Sequence, residues 1–150
     1  RVRSLFMVAR RLVDGAFWYA LMACLALIGG GAGVRVASQM AVAGLAGTAL
    51  YRALKQRLVR ERPFVSHAGI LRGAAPLDRY SFPSGHTLHA VCFTLLAISS
   101  YPNLAWVLVP FASLVAASRV VLGLHYPSDV AAGAVLGALL STAVTRLWPI

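Results

Sequence analysis

Three short stretches of this chain hold residues with chemistry to offer: Lys55 with Arg62–Pro63, then Pro83–Ser84–Gly85–His86, then Ser118–Arg119 followed by His125 and Asp129. As patterns they read K-x6-R-P, P-S-G-H and S-R-x5-H-x3-D. Together they supply three cations, two histidines and one carboxylate. That is the inventory needed to bind a phosphate, attack it, and protonate what leaves.

These residues are set in an apolar chain. Of 150 residues, 59% are hydrophobic and only 12% charged, with a mean hydropathy of +0.76, outside the range of ordinary soluble domains. The length suits a single domain, 1–150. The net charge is +10, but the cations cluster at the ends of apolar runs rather than over a solvated face. That pattern suits lipid headgroups or a phosphate-bearing substrate and argues against nucleic acid. Cys24 and Cys92 each sit inside an apolar run, without metal-ligand spacing, and read as small membrane-core residues.

Five apolar segments position the motifs: 16–34, 36–54, 86–101, 104–122 and 127–148. A spanning helix needs about 20 residues, and helices satisfy their own backbone in lipid. The expected fold is therefore all-α, a polytopic transmembrane bundle with about five spans, turning at Val34–Arg35 and at Tyr101–Pro102–Asn103. Residues 1–14, with Arg1, Arg3, Arg10 and Arg11 among apolar residues, suit an interfacial amphipathic helix or the tail of a truncated span. The chain opens on Arg1 rather than Met, so residues are expected upstream, and no signal-peptide pattern is present. Gly29–Gly30–Gly31, Gly44, Gly47, Gly133 and Gly137 read as close-packing positions between helices.

Threading five spans places Lys55, Arg62, Pro83–His86, Arg119, His125 and Asp129 on one side of the membrane. Ser84 suits an N-cap, turning helix amides toward an anion. Pro127 suits the first turn of the last helix, which puts Asp129 near N3 with His125 within side-chain reach. A buried Arg119 at the membrane edge calls for an anionic partner.

The three motifs, in order and at this spacing over about residues 36–148, resemble the type 2 phosphatidic acid phosphatase family, which shares its site with vanadium haloperoxidases. The resemblance implies that His125 is a nucleophile forming a phosphohistidine, that Asp129 holds its tautomer, and that His86 is general acid and then base. It implies that Lys55, Arg62 and Arg119, with the Ser84 hydroxyl and the Gly85 amide, bind the phosphate oxygens. No metal and no cofactor is implied, because fixed cations take that role. Family members commonly have six spans, so one at the N-terminus is expected to be missing here. The implied function is an integral membrane phosphatase of a lipid phosphate or diphosphate: phosphatidate, phosphatidylglycerol phosphate, a prenyl pyrophosphate or lipid A. Two other readings stand beside it, a phosphatase of a soluble sugar phosphate and a non-enzymatic lipid transport or assembly protein keeping an anion site. The His125–Asp129 pair with His86 argues against the last, since binding alone needs only the cations.

Membrane lipids are the expected surroundings, in a multi-pass protein of the cell (inner) membrane. The arginines on the motif side favour a cytoplasmic site by the positive-inside rule. The resemblance favours the opposite face, and arginines recruited to phosphate weaken the rule, so the site is placed on the non-cytoplasmic face. No motif specifies an oligomeric state. Outside the motifs, His89 suits packing or a hydrogen bond and His67 solvent. Arg57, Arg60, Arg72 and Arg79 suit headgroups or the lipid surface. Asp78 suits a pair with Arg79 or Arg72, and Phe64, Tyr80 and Phe82 suit a wall beside the motifs.

Overall fold

The computed structural model describes residues 15–66, 69 and 79–149. The segment 1–14 expected to be amphipathic lies outside them, as do His67, Arg72 and Asp78. Among the described residues the fold is all-helical. Helix α1 runs Ala16–Ile28, α2 Gly30–Leu58, a single turn α3 Pro63–Ser66, α4 Gly85–Ser100, α5 Ala105–Val121 and α6 Pro127–Leu147. A 3-10 turn, Pro102–Leu104, joins α4 to α5.

The first turn falls at Gly29, not at Val34–Arg35, so the segments expected at 16–34 and 36–54 are helices of 13 and 29 residues. The glycines decide this. Gly30 has φ +59°, and a Cβ on Gly33 would collide with the Leu25 carbonyl, so only glycine lets α2 fold back against α1 there. The Tyr101 hydroxyl donates to the Gly29 carbonyl at 3.1 Å, tying the turn to the end of α4.

Helix α1 is about 20 Å long at ~1.5 Å per residue, short of the ~30 Å hydrocarbon core. Among the described residues, two stretches are long and apolar enough to cross a membrane, Pro102–Val121 and Pro127–Leu147. Helix α2 is longer, so Lys55 near its end lies about 38 Å from Gly30, past the span of the hydrocarbon.

Helix α4 is the centre, packed against α2, α5 and α6. Leu88, Ala90, Cys92, Leu96 and Ala97 along it are fully buried. Trp18 from α1 closes the core, edge-on to Phe93 with centroids 5.3 Å apart. The α4–α6 contact is made through glycine: a Cβ on Gly137 would strike the Leu88 carbonyl, and one on Gly133 would lie 2.5 Å from the Ser84 carbonyl. This is small-residue packing of the membrane type.

Gly137→Ala is expected to lower stability in detergent by about 1–3 kcal/mol, because the helices must separate to admit a methyl group. Gly31→Ala, exposed with nothing near its Cβ position, is expected to be neutral or to stabilise by up to about 1 kcal/mol. Thermal unfolding of the two variants side by side checks the pair. Equal effects would mean that the α4–α6 contact is loose.

Candidate active site

The K-x6-R-P stretch leaves α2 through Val59, whose φ of +43° is the left-handed region that β-branched residues rarely occupy. This sharp exit turns the chain so that Arg62 and Pro63 run back into the bundle, both buried. Arg62 Nη1 donates to the Leu124 carbonyl at 2.7 Å and lies 3.4 Å from His125 Nε2. Lys55 Nζ donates to the Tyr80 carbonyl at 3.1 Å and sits 5.5 Å from the centre of the Tyr51 ring.

In the P-S-G-H stretch, Ser84 is the N-cap of α4, but its hydroxyl does not cap the helix. It pairs instead with the fully buried Thr87 hydroxyl at 2.9 Å. The Ser84 amide donates to the Asp129 carbonyl at 3.0 Å, which fixes the second motif on the third. Gly85 is buried with its Cβ position facing the Tyr51 ring at 3.1 Å, so a side chain there would displace that ring. His86 lies half-buried in the first turn of α4.

The third motif is shaped by the end of α5. Gly123, at φ +68°, donates to the Val120 carbonyl at 2.9 Å, and the Leu124 amide reaches the Arg119 carbonyl at 3.1 Å. This is a Schellman cap built on a left-handed glycine. The His125 amide also donates to the Arg119 carbonyl, at 3.1 Å, so the cap sets the position of the histidine. Arg119 is 1% exposed and its Nε donates to Ser118 Oγ at 3.1 Å. Asp129 stands at N3 of α6, where its Oδ2 accepts the Tyr126 amide at 2.8 Å. The same Oδ2 lies 3.6 Å from His125 Nδ1, within ion-pair reach and longer than a hydrogen bond.

The structure thus brings Lys55, Arg62, Ser84, Arg119, His125 and Asp129, all buried, to one end of the bundle, with Gly85 and His86 at the adjoining helix start. His125 presents Nδ1 to the carboxylate and Nε2 to Arg62. Burial pushes the His125 imidazole down to about 4, the nearby charges of Arg62 and Lys55 push the same way, and the Asp129 carboxylate opposes them. The ring is therefore neutral at pH 7. With its proton on Nδ1, toward Asp129, the ring turns the Nε2 lone pair to the Arg62 guanidinium 3.4 Å away. A neutral imidazole whose Nε2 faces fixed cations has the chemistry required of a nucleophile toward a bound anion.

Comparison with known proteins identifies the family. The family model of the PAP2 superfamily matches residues 32–149. The chain belongs to the PAP2 superfamily. It is 40% identical over 117 residues to decaprenylphosphoryl-5-phosphoribose phosphatase of Mycobacterium tuberculosis, covering 76% of this chain and 56% of that protein. It is 31% identical over 101 residues to the undecaprenyl-diphosphatase BcrC of Bacillus subtilis, covering 66% of this chain and 51% of the relative. The chain therefore spans about half the length of these curated relatives. A crystal structure of a transmembrane PAP2-type phosphatidylglycerolphosphate phosphatase from Bacillus subtilis superposes with a TM-score of 0.75 at 25% identity, over 97% of this chain and 76% of that one. Apolar helices and a transmembrane neighbour give this PAP2 chain membrane-protein character.

Some residues at the site were not anticipated from the sequence. Arg60, read as a headgroup or lipid-surface residue, instead donates from Nη1 to Asp129 Oδ1 at 2.7 Å and to Ser128 Oγ at 2.8 Å. Its guanidinium also lies 4.2 Å from the centre of the Tyr126 ring. Thr87 and the Tyr80 carbonyl carry no sequence signal for these roles. Gly123 does, since a glycine just past V-V-L is a readable helix stop. Of the other residues, His89 Nε2 lies 3.1 Å from the Gly44 carbonyl between α4 and α2, and Arg79 is exposed with its guanidinium 5.6 Å from the Tyr80 ring centre.

The electrostatics make a direct prediction. An NMR titration of the His125 ring is expected to show a midpoint near 4. Arg62→Gln removes a cation that opposes protonation and is expected to move that midpoint upward. A wild-type midpoint at or above 6.5, the ordinary histidine value, would contradict the buried, cation-flanked setting.

Proposed function

We propose that this chain is the catalytic part of an integral membrane lipid-phosphate phosphatase that acts through a phosphohistidine, without a metal. The observation that carries this reading is one imidazole held between a carboxylate at Nδ1 and an arginine at Nε2, inside a pocket with three buried cations. Lys55, Arg62 and Arg119 neutralise the non-bridging oxygens of the phosphoryl group, with the Ser84 hydroxyl and the Gly85 amide at the start of α4. His125 Nε2 attacks phosphorus, the bond to the leaving oxygen breaks, and His86 gives that oxygen its proton. Water then attacks the phosphohistidine as His86 takes up a proton, which releases inorganic phosphate and restores both imidazoles. Asp129 keeps the His125 proton on Nδ1 and stabilises the charge that develops on the ring.

Lipid phosphates are the favoured substrate class. The relatives' names specify polyprenyl and phosphatidylglycerol phosphates, and a pocket at the membrane edge receives a headgroup while its chain stays in lipid. Prenyl phosphates or diphosphates and phosphatidylglycerol phosphate head the panel, followed by phosphatidate and lipid A. We place the protein in the cell membrane with the site on the non-cytoplasmic face.

Phosphate release from that panel in detergent with EDTA present is the test. Wild type is expected to hydrolyse at least one lipid, and His125→Ala to lose at least about 10³-fold in kcat. His86→Ala is expected to lose about 10²–10⁴-fold. Alkaline quenching during turnover should trap phosphate on His125. Release that requires a divalent ion, or that survives in His125→Ala, would defeat the mechanism.

A further inference from the structure

Arg60 is one of the unspecified positions within K-x6-R-P, yet it joins that stretch to the segment before P-S-G-H and to the third motif. Its backbone carbonyl accepts the Ser81 amide at 2.8 Å and the Ser81 hydroxyl at 3.3 Å, and that hydroxyl also reaches the Glu61 carbonyl at 3.1 Å. Ser81 is fully buried and stands two residues before Pro83. The backbone of Arg60 therefore clamps the segment leading into P-S-G-H onto the segment carrying Arg62. Its side chain crosses in the other direction, to Asp129 Oδ1, to Ser128 Oγ and over the Tyr126 ring.

The carboxylate it grips is the one facing His125. Asp129 is fully buried, whereas the Arg60 side chain is 39% exposed, so the pair links the rim of the site to its interior. A carboxylate can rotate about its Cβ–Cγ bond, and here each oxygen has a partner that opposes rotation. Oδ2 takes the Tyr126 amide and Oδ1 takes Arg60. With Oδ1 held, Oδ2 stays on the side of His125 Nδ1, 3.6 Å away. A charge-assisted bond of 2.7 Å is strong enough to do this, and the planar fork of arginine suits the two acceptors, Oδ1 and Ser128 Oγ.

We propose that Arg60 is a positioning residue for the reaction: it locks the Asp129 carboxylate so that His125 keeps its proton on Nδ1 and its lone pair on Nε2. This rests on the phosphatase reading for its effect on turnover, but the orientation of the His125 ring can be read without turnover. The alternative role, one of the two read from the sequence beside a lipid-surface contact, is a grip on the lipid headgroup. The two differ in what they move. A positioning residue acts on the chemical step and lowers kcat, while a headgroup contact made equally in ground and transition states raises KM.

The experiment uses the full chain in detergent with Arg60→Ala, Arg60→Gln and Arg60→Lys. The substrate is the best-hydrolysed lipid of the panel. Arg60→Ala is expected to lower kcat about 10–100-fold, as for a catalytic group displaced by an ångström, with KM changed less than about threefold. Arg60→Lys keeps a cation within reach of Oδ1 and is expected to recover most of kcat, while Arg60→Gln recovers less. Long-range 1H–15N spectra of the His125 ring are expected to show the Nδ1–H form in wild type and a mixture of tautomers in Arg60→Ala. A rise in KM at constant kcat, or an unchanged kcat, would overturn the proposal in favour of headgroup binding or no role. If Arg60→Ala unfolds, Arg60→Gln decides by the same kcat and KM comparison. If wild type hydrolyses no lipid, the phosphatase reading fails, and the His125 spectra still judge Arg60: an unchanged tautomer in a folded variant rejects it.

Discussion

Lys55, Arg62 and Arg119 are three like charges buried at one end of the bundle, and burying them is the constraint that the surrounding structure has to meet. Each has lost most of its hydration, and in a low-dielectric surrounding their repulsion grows as their solvation falls. Their hydrogen bonds show how they are held. Lys55 is tied to the Tyr80 carbonyl, Arg62 to the Leu124 carbonyl and Arg119 to the Ser118 hydroxyl. These three acceptors are neutral, satisfying donors without cancelling charge, and the buried cations set a positive field. A dianionic phosphoryl group is the natural complement to that field. The Asp129 carboxylate is directed instead to His125 and to Arg60.

Holding such a pocket requires joining segments far apart in sequence, and backbone groups do much of this. The Ser84 amide meets the Asp129 carbonyl, Ser81 meets the carbonyls of Arg60 and Glu61, and Leu124 and His125 both meet the Arg119 carbonyl. Backbone bonds of this kind tolerate little drift, so a shift in one motif is carried to the others. The left-handed residues at Val59 and Gly123 supply the two sharp changes of direction that make these bonds reachable.

Much of this was legible because helix ends are where sequence speaks most clearly about direction. Counting apolar segments by parity put all three motifs at one end, and Ser84 and Asp129 sit at the N-cap and N3 positions read from Pro83 and Pro127. Parity survives an error in where a turn falls, which is why the true turn at Gly29 rather than Val34–Arg35 left the motif side unchanged. The turn was misplaced because an arginine in an apolar run looks like a boundary, whereas three glycines looked like packing. Arg60 was misread for a different reason. An arginine near a membrane surface has many uses, and its pairing with Asp129, 69 residues away, is set by the strained exit at Val59. The Ser84–Thr87 pair was likewise hidden, since a serine at an N-cap is ordinarily read as bonding to the helix amides.

The lipid setting ties stability to this geometry. Large apolar side chains such as Leu27, Trp106 and Leu139 are strongly exposed on the outer faces of the bundle. In a bilayer these faces meet acyl chains, so burying them gains little, and helix association rests on close backbone packing and polar contacts. Part of this packing places Gly133 against the carbonyl of Ser84. Ser84 is also the residue whose amide holds the Asp129 backbone. One of the contacts that keep α4 on α6 therefore also sets the start of α4 against the His125–Asp129 pair. In a water-soluble bundle a hydrophobic core would fix the helices independently of the site. Here a loss of packing between two glycines and a helix backbone is also a loss of registration between the two histidines.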